Sequence, residues 1–232
     1  MILLALATAA AAAGAPACPA TADPSAALCR ALAASDADNF AAAAAEFERA
    51  AAGSAAGDPR TQRMLAAAGN MWIAAAQPGK AALALDRALA GTGLQADQRG
   101  LALLDRARAA EAQGELKQAR RFVTQAEASA AEDPFLWYFS AALAIREGDL
   151  PTARAAIDRA LTLAPNDADV LFEAGHVADA EGKRDQARLY WQRALAADPA
   201  SASGEAAKRA LAMIAVPPSA ATSPPKPVPK DR

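Results

Sequence analysis

The chain is poor in the residues from which catalytic and metal centres are usually built. It has one histidine, His176, and two cysteines, Cys18 and Cys29, among 232 residues. It contains no Cys-x-x-Cys pair and no histidine cluster, which excludes the common zinc and redox motifs. His176 has no nucleophile motif or metal-ligand spacing around it and reads as a groove or surface residue. Neither sign of charge dominates: 24 basic and 26 acidic residues give a net charge of −2. That balance leaves no basic footprint for nucleic acid or anionic lipid. Gly91-Thr92-Gly93 has no lysine in the place a phosphate loop requires, and it reads as a helix stop. No enzyme, cofactor site or metal site is expected.

Aromatic residues are also few, at 5%, although the chain is 53% hydrophobic. Alanine makes up the difference, at roughly a third of all residues. Alanine has the highest helix propensity, and β-branched residues are scarce, so the composition implies an all-α protein. Each alanine buries little apolar area, so the helices should pack closely around a small number of large anchors.

The longest apolar run, residues 1–17 (MILLALATAAAAAGAPA), is too short for a comfortable membrane span. It ends in Ala15-Pro16-Ala17 and reads as a signal peptide cleaved after Ala17, although no positive charge follows Met1. A periplasmic or secreted chain is therefore expected, with no integral membrane span once mature. Residues 18–23 form a short N-terminal segment. In an oxidising compartment Cys18 and Cys29 could close a short loop. The alternative is that Cys18 is lipidated, but Ala15 stands where lipoprotein signals normally place leucine.

From residue 24 the pattern becomes helical and paired. Expected helices span 24–35 and 39–52, 61–76 and 80–90, 97–112 and 115–130, 134–147 and 150–163, then 168–181 and 184–197. Gln77-Pro78-Gly79 reads as the turn of the second pair. Asp133 before Pro134 is an N-cap followed by proline at the first helical position. A final amphipathic helix, 203–215, carries Leu211 and Ile214 on the face that could cover the open end of a stack. The tail, 216–232, holds six prolines and a local balance of +2, so it reads as disordered or polyproline-like.

The pairs repeat with a fixed period. Gly114, Gly148 and Gly182 are evenly spaced, and the same interval separates Ala119, Ala153 and Ala187, and again Ala126, Ala160 and Ala194. Pro165 and Pro199 share the spacing. The fifth pair reads Leu171-x2-Ala174-Gly175-x2-Ala178, then Ala187-x3-Trp191, Ala194 and Pro199. The fourth reads Trp137-x2-Ser140-Ala141-x2-Ala144, then Ala153-x3-Ile157, Ala160 and Pro165. The second gives Leu65-x2-Ala68-Gly69-x2-Trp72, then Ala81-x3-Leu85 and Ala88. The third keeps Gly114, Ala119, Val123 and Ala126, and the first only Ala43, Phe47 and Ala50. In motif and in period this resembles the tetratricopeptide repeat over residues 24–199, most strongly in 134–199. The resemblance implies a right-handed superhelical solenoid of about five helix-turn-helix pairs with a C-terminal capping helix, and a non-catalytic role in binding protein.

Repeats of this kind usually bind along the inner face of each first helix, which helical geometry offsets by one residue from the small-residue seam. In the fourth pair that face holds Phe135, Tyr138, Ala142 and Ile145, and in the fifth Asp169, Phe172, His176 and Asp179. In the third it holds Leu101, Leu104, Arg108 and Glu111, and in the second Arg63, Ala66, Asn70 and Ile73. Leu104, Tyr138 and Phe172 are each one period apart and should form one row. The chaperone-tail subfamily clamps a terminal carboxylate with lysine and asparagine, of which only Asn70 is echoed here. An apolar or amphipathic peptide suits the row better. The alternatives are that these aromatics pack against the neighbouring repeat, or that the array is a spacer in an envelope assembly anchored through Cys18. Pairs such as Asp105-Arg106 and Asp158-Arg159 read as solvated faces.

Overall fold

The computed structural model describes residues 18–215, and every regular element among them is an α-helix. The helices are α1 (Pro24–Asp36), α2 (Phe40–Gly53), α3 (Arg60–Ala74), α4 (Pro78–Ala90), α5 (Ala96–Ala112), α6 (Leu116–Ala130), α7 (Pro134–Glu147), α8 (Leu150–Leu163), α9 (Ala168–Ala180), α10 (Arg184–Ala197) and α11 (Ala202–Ala215). The signal-like segment 1–17 and the tail 216–232 lie outside the described residues. The chain divides after Gly114 into two compact units, one holding α1 to α5 and the other α6 to α11. The division falls inside the third pair of the repeat pattern.

The expected bounds of α7, α8 and α10 agree with the structure to the residue. At α4 the expectation fails, because Pro78 opens the helix and is not part of a turn. A proline at the first helical position loses nothing, since its missing N–H would have had no intrahelical acceptor. Side-chain caps start six of the helices, with Asp23, Asn39, Asp133, Asp149, Asp167 and Ser201 each accepting from a backbone N–H of the first turn.

One turn joins the helices within each pair. Its key residue has positive φ: Asp38 (55°), Ala76 (55°), Gly114 (78°), Gly148 (76°) and Gly182 (78°). In four of the pairs the next residue donates its N–H back into the last helical turn, from Asn39 to Ala34, Gln77 to Trp72, Asp149 to Ala144 and Lys183 to Ala178, at 2.8–2.9 Å. This bond pattern ends a helix by satisfying carbonyls that would otherwise be orphaned. Ala76 is the one turn residue with a plain Cβ and no polar side chain, so it bears a steric cost of roughly 1–2 kcal/mol. Ala76→Gly should therefore stabilise the first unit by about 1 kcal/mol, after glycine's larger unfolded-state entropy is subtracted. A denaturation midpoint that falls in this variant would refute the assignment of strain.

Small residues sit where the helices of a pair cross. An added Cβ at Gly69 would lie 2.4 Å from Cγ of Leu85, and one at Gly175 would lie 2.2 Å from Nε1 of Trp191. Each glycine precedes the side chain that covers it by the same interval in sequence, and Ala141 precedes Ile157 by that interval too. Ala141 and Ile157 are fully buried in one cluster with Ala144, Ala153, Val170 and Val177. The core therefore consists of alanine seams with isolated large anchors, Phe47, Leu65, Trp72 and Leu85 in the first unit and Ile157, Leu171 and Trp191 in the second.

At its C-terminal end the second unit is covered by α11, whose Ala207 and Ala210 are buried with Leu171, Ala178 and Trp191, while Leu211 and Ile214 pack at the edge. At the other end of the chain, Cys18 is bonded to Cys29 with Cα atoms 5.7 Å apart. Arg30 pins the same segment by donating to the carbonyls of Pro19 (2.6 Å) and Thr21 (3.0 Å), and it pairs with Glu46 on α2 at 3.0 Å. Residues 18–23 are thus tied to α1 by one covalent bond and one guanidinium.

Candidate binding surface

Several arginines brace successive helices, among them Arg106, which reads as solvated in the sequence. Arg120 on α6 reaches Glu147 at the end of α7 (2.8 Å), and it also donates to the hydroxyl and carbonyl of Ser140, which is buried. Arg154 on α8 repeats the brace in the next pair with Glu181, its Nε 3.0 Å from the carboxylate. In the first unit Arg106 is only 6% exposed and holds Asp86 on α4 at 2.7 Å. Its neighbour Asp105 also faces inward, where Asn70 donates to it at 2.9 Å and Arg108 pairs with it at 3.1 Å. Burial raises the Asp105 carboxyl above its usual range, and the bonds from Asn70 and Arg108 oppose that rise. Asp105-Arg106 is therefore a structural pair of inward groups. Adjacency in sequence could not reveal this, since Asn70 and Asp86 lie on other helices.

The aromatic row of the second unit is part core and part surface. On α7, Phe135 meets Tyr138 edge-on with ring centres 5.1 Å apart and stacks on Phe139 at 5.6 Å. Tyr138 and Ile145 are half-buried against the cluster of α7, α8 and α9. On α9, Phe172 is half-buried against the cluster that α11 completes, and its ring lies 4.3 Å from that of His176. His176 also lies 5.8 Å from the Trp191 ring and 3.4 Å from the Glu173 carboxylate, and 41% of its side chain is exposed. Asp179, near the end of α9, is exposed, while its neighbour Ala178 lies in the core. Of the expected row, Phe135, Tyr138, Ile145, Phe172, His176 and Asp179 thus belong to one unit. Leu104 differs. It lies in the first unit and is 1% exposed, so it is a core residue and offers no contact surface. Arg108, one turn further along α5, is partly exposed and engaged with Asp105.

The sequence does not indicate the concavity of the first unit. One cavity of about 680 Å³ lies along α1, α2 and α3 and is lined by Leu28, Phe47, Met64 and Ala67 with Arg60 and Arg63. A second, of about 360 Å³, continues towards α5 over Ala66, Met71, Leu94 and Leu101 and reaches Asn70 and Asp105. Phe47, Arg63 and Ala67 line both. The walls carry exposed leucines, with Leu28 36% and Leu101 51% exposed. The available signal for this trough is the inner face Arg63, Ala66, Asn70 and Leu101. Small residues at Ala66 and Ala67 create the space, and an absent side chain leaves no mark in a hydrophobic pattern.

Among the described residues, no three His, Cys, Asp or Glu side chains converge as a metal site would require, and no helix is long and apolar enough to cross a membrane. Antiparallel helix pairs, one recurrent turn and a glycine or alanine beneath a large residue of the partner helix define a helical repeat protein with the tetratricopeptide-repeat fold. No family model matches the sequence, and comparison with curated proteins finds no match. Solved structures do match in fold. A thermophilic tetratricopeptide-repeat protein from Thermus thermophilus superposes with a TM-score of 0.65 at 16% identity, covering 82% of this chain and 99% of that one. PilW, described as a type IV pilus biogenesis factor, gives 0.64 at 20% identity and covers 79% and 81%. YrrB, described as having an unusual peptide-binding site, gives 0.54 at 18% identity and covers 79% and 91%.

Proposed function

We propose that this chain is a non-catalytic interaction scaffold that holds a peptide or protein segment against the inner face of its first helices. The observation that supports this most directly is the partly buried aromatic set on α7 and α9. Phe135, Tyr138 and Phe172 are large enough to fill a core, yet each keeps open surface while alanines take the buried seams. Partly buried aromatics of this kind serve as anchors, and the nearby charges of Arg146 and Asp169 set direction more than affinity. The neighbour described as having a peptide-binding site fits this reading. A periplasmic or secreted location is part of the proposal. Its support is the signal-like segment 1–17 followed by a bonded cysteine pair, which suits an oxidising compartment. The same bond occupies the Cys18 sulfur that a lipid thioether would need, which favours the soluble form over the anchored one.

Replacing Tyr138 and Phe172 together with alanine should weaken a partner recovered from envelope extracts at least tenfold, about 1.4 kcal/mol, without loss of helix content. Unfolding of the double variant, with Arg108→Ala binding as before, would mean that the row is packing alone and that binding occurs elsewhere.

A further inference from the structure

We propose that the two lengthened loops of the first unit form a site for a neutral, N-acetylated sugar ring, held by Thr61, Gln62 and Thr92. The site lies on connecting loops and the first turn of α3, and it does not depend on the aromatic surface proposed above. Its first support is an interruption of the repeat. Leu65 follows Ala50, and Leu103 follows Ala88, at one shared interval. That interval is four residues longer than the one from Ala126 to Trp137 or from Ala160 to Leu171. The extra residues therefore enter twice at the same point of the repeat, around the α2–α3 and α4–α5 connections. Insertions into successive repeats map to loops on one face of an array, and that face is often used for binding. Here the two connections enclose a cavity of about 300 Å³, whose polar wall carries Asp58, Thr61, Gln62 and Thr92.

The second support is the glycine pair of the α4–α5 connection. Neither Gly91 nor Gly93 has positive φ, so the backbone does not demand glycine at either place. Space does. A Cβ on Gly91 would collide with Nε2 of Gln62, and one on Gly93 would collide with Oε1. Bare backbone there leaves room at both ends of the Gln62 amide. The side chains of Thr61, Gln62 and Thr92 make no hydrogen bond among the described residues, so their donors and acceptors face the cavity unused. Charge narrows the class of ligand. Asp58 is the one carboxylate on the cavity wall, and it is paired with Arg60 at 2.7 Å and accepts from the Arg60 backbone. No unpaired charge on the wall calls for an ionic ligand. A primary amide offers both a donor and an acceptor to the acetamido group, and the threonine hydroxyls both donate and accept, as ring hydroxyls do. Ala51, Ala55 and Ala56 supply the apolar contact for the acetyl methyl. No aromatic ring lines the cavity, so a single sugar should bind weakly.

Titration of the isotope-labelled full chain with N-acetylglucosamine, followed by backbone amide NMR shifts, tests the site. Saturable shifts should appear at residues 54–62 and 91–93 and be absent from α7 and α9. Glucose lacks the acetamide and glucosamine carries an ammonium in its place, so each should bind at least threefold more weakly. Gln62→Met keeps the length of the side chain and removes both hydrogen-bonding ends, and it should lose at least fivefold. Thr92→Val, at an exposed loop position, should lose at least twofold with the denaturation midpoint unchanged. It decides the matter if Gln62→Met unfolds. The variant with Tyr138 and Phe172 both changed to alanine should bind the sugar as wild type does. Retention of wild type by insoluble peptidoglycan or by lipopolysaccharide vesicles, lost in Thr92→Val, would support the site and name the source of the ring. No saturable shifts, equal binding of glucose or glucosamine, or wild-type affinity in Thr92→Val would overturn the proposal. Shifts centred on α7 and α9 would place the sugar on the second unit and refute the site as drawn.

Discussion

Trp191→Ala should lower the unfolding free energy of the second unit by about 3–5 kcal/mol, the usual cost of deleting a large buried aromatic side chain. Trp191 is 3% exposed and is the largest side chain buried in the cluster that joins α9, α10 and α11. Most of its buried neighbours are alanines, which cannot move inward to fill the space. The indole N–H also donates to the Phe172 carbonyl at 3.1 Å, so the substitution removes a hydrogen bond as well as contact. Guanidinium denaturation followed by helix circular dichroism measures the effect. A loss below about 1 kcal/mol would mean that the cluster repacks, contrary to the rigidity argued for alanine seams.

Gly175→Leu should cost about 3 kcal/mol for the opposite reason, overpacking. Even a methyl at this position would lie 2.2 Å from Nε1 and 2.4 Å from Cδ1 of Trp191, and a leucine adds further carbons beyond it. Such crowding forces side chains off their rotamers or separates the helices. The gain in helix propensity over glycine, about 1 kcal/mol, does not offset it. The other pairs suggest a rescue. Ala141 and Ile157 occupy the equivalent positions of α7 and α8. Gly175→Ala combined with Trp191→Ile should therefore be more stable than the sum of the single changes predicts, by about 1–2 kcal/mol of coupling. Strict additivity would show that the two positions do not share a crossing.

The sequence is most readable where backbone demands and steric demands coincide. Gly114, Gly148 and Gly182 recur because the turn needs positive φ, and nothing lies within 4 Å of the Cβ each lacks. They serve the backbone, whereas Gly69 and Gly175 serve space, and both kinds fall on the repeat. In the first two pairs the same turn uses Asp38 and Ala76, so the glycine signal vanishes there, and the interval between turns is longer than between Gly114, Gly148 and Gly182. The inner face follows from helical geometry, which gives the direction of a side chain but not its depth. That is why Leu104 is expected in an open row and proves to be 1% exposed. The trough beside Arg63 is hidden for a related reason. Its Leu28 lies in the pair with the weakest repeat pattern, and its space comes from alanines that look like ordinary helix formers. Partners of buried charges are also unreadable, because Arg106 finds Asp86 and Arg120 finds Glu147 only through tertiary packing.

An array of near-identical hairpins has a misassembly problem, because any second helix offers roughly the same apolar stripe to any first helix. The graded sizes at the crossings act against such errors. If α10 docked on α7, Trp191 would meet the methyl of Ala141 where Gly175 presents none, and that methyl position is already a clash in the native pair. If α8 docked on α9, Ile157 would lie over Gly175 and leave a void where the indole belongs. One exchange is too tight and the other too loose, so each is disfavoured by repulsion or by lost contact. The glycine-to-alanine difference between consecutive seams thus works as an address, directing each helix to its own neighbour during folding.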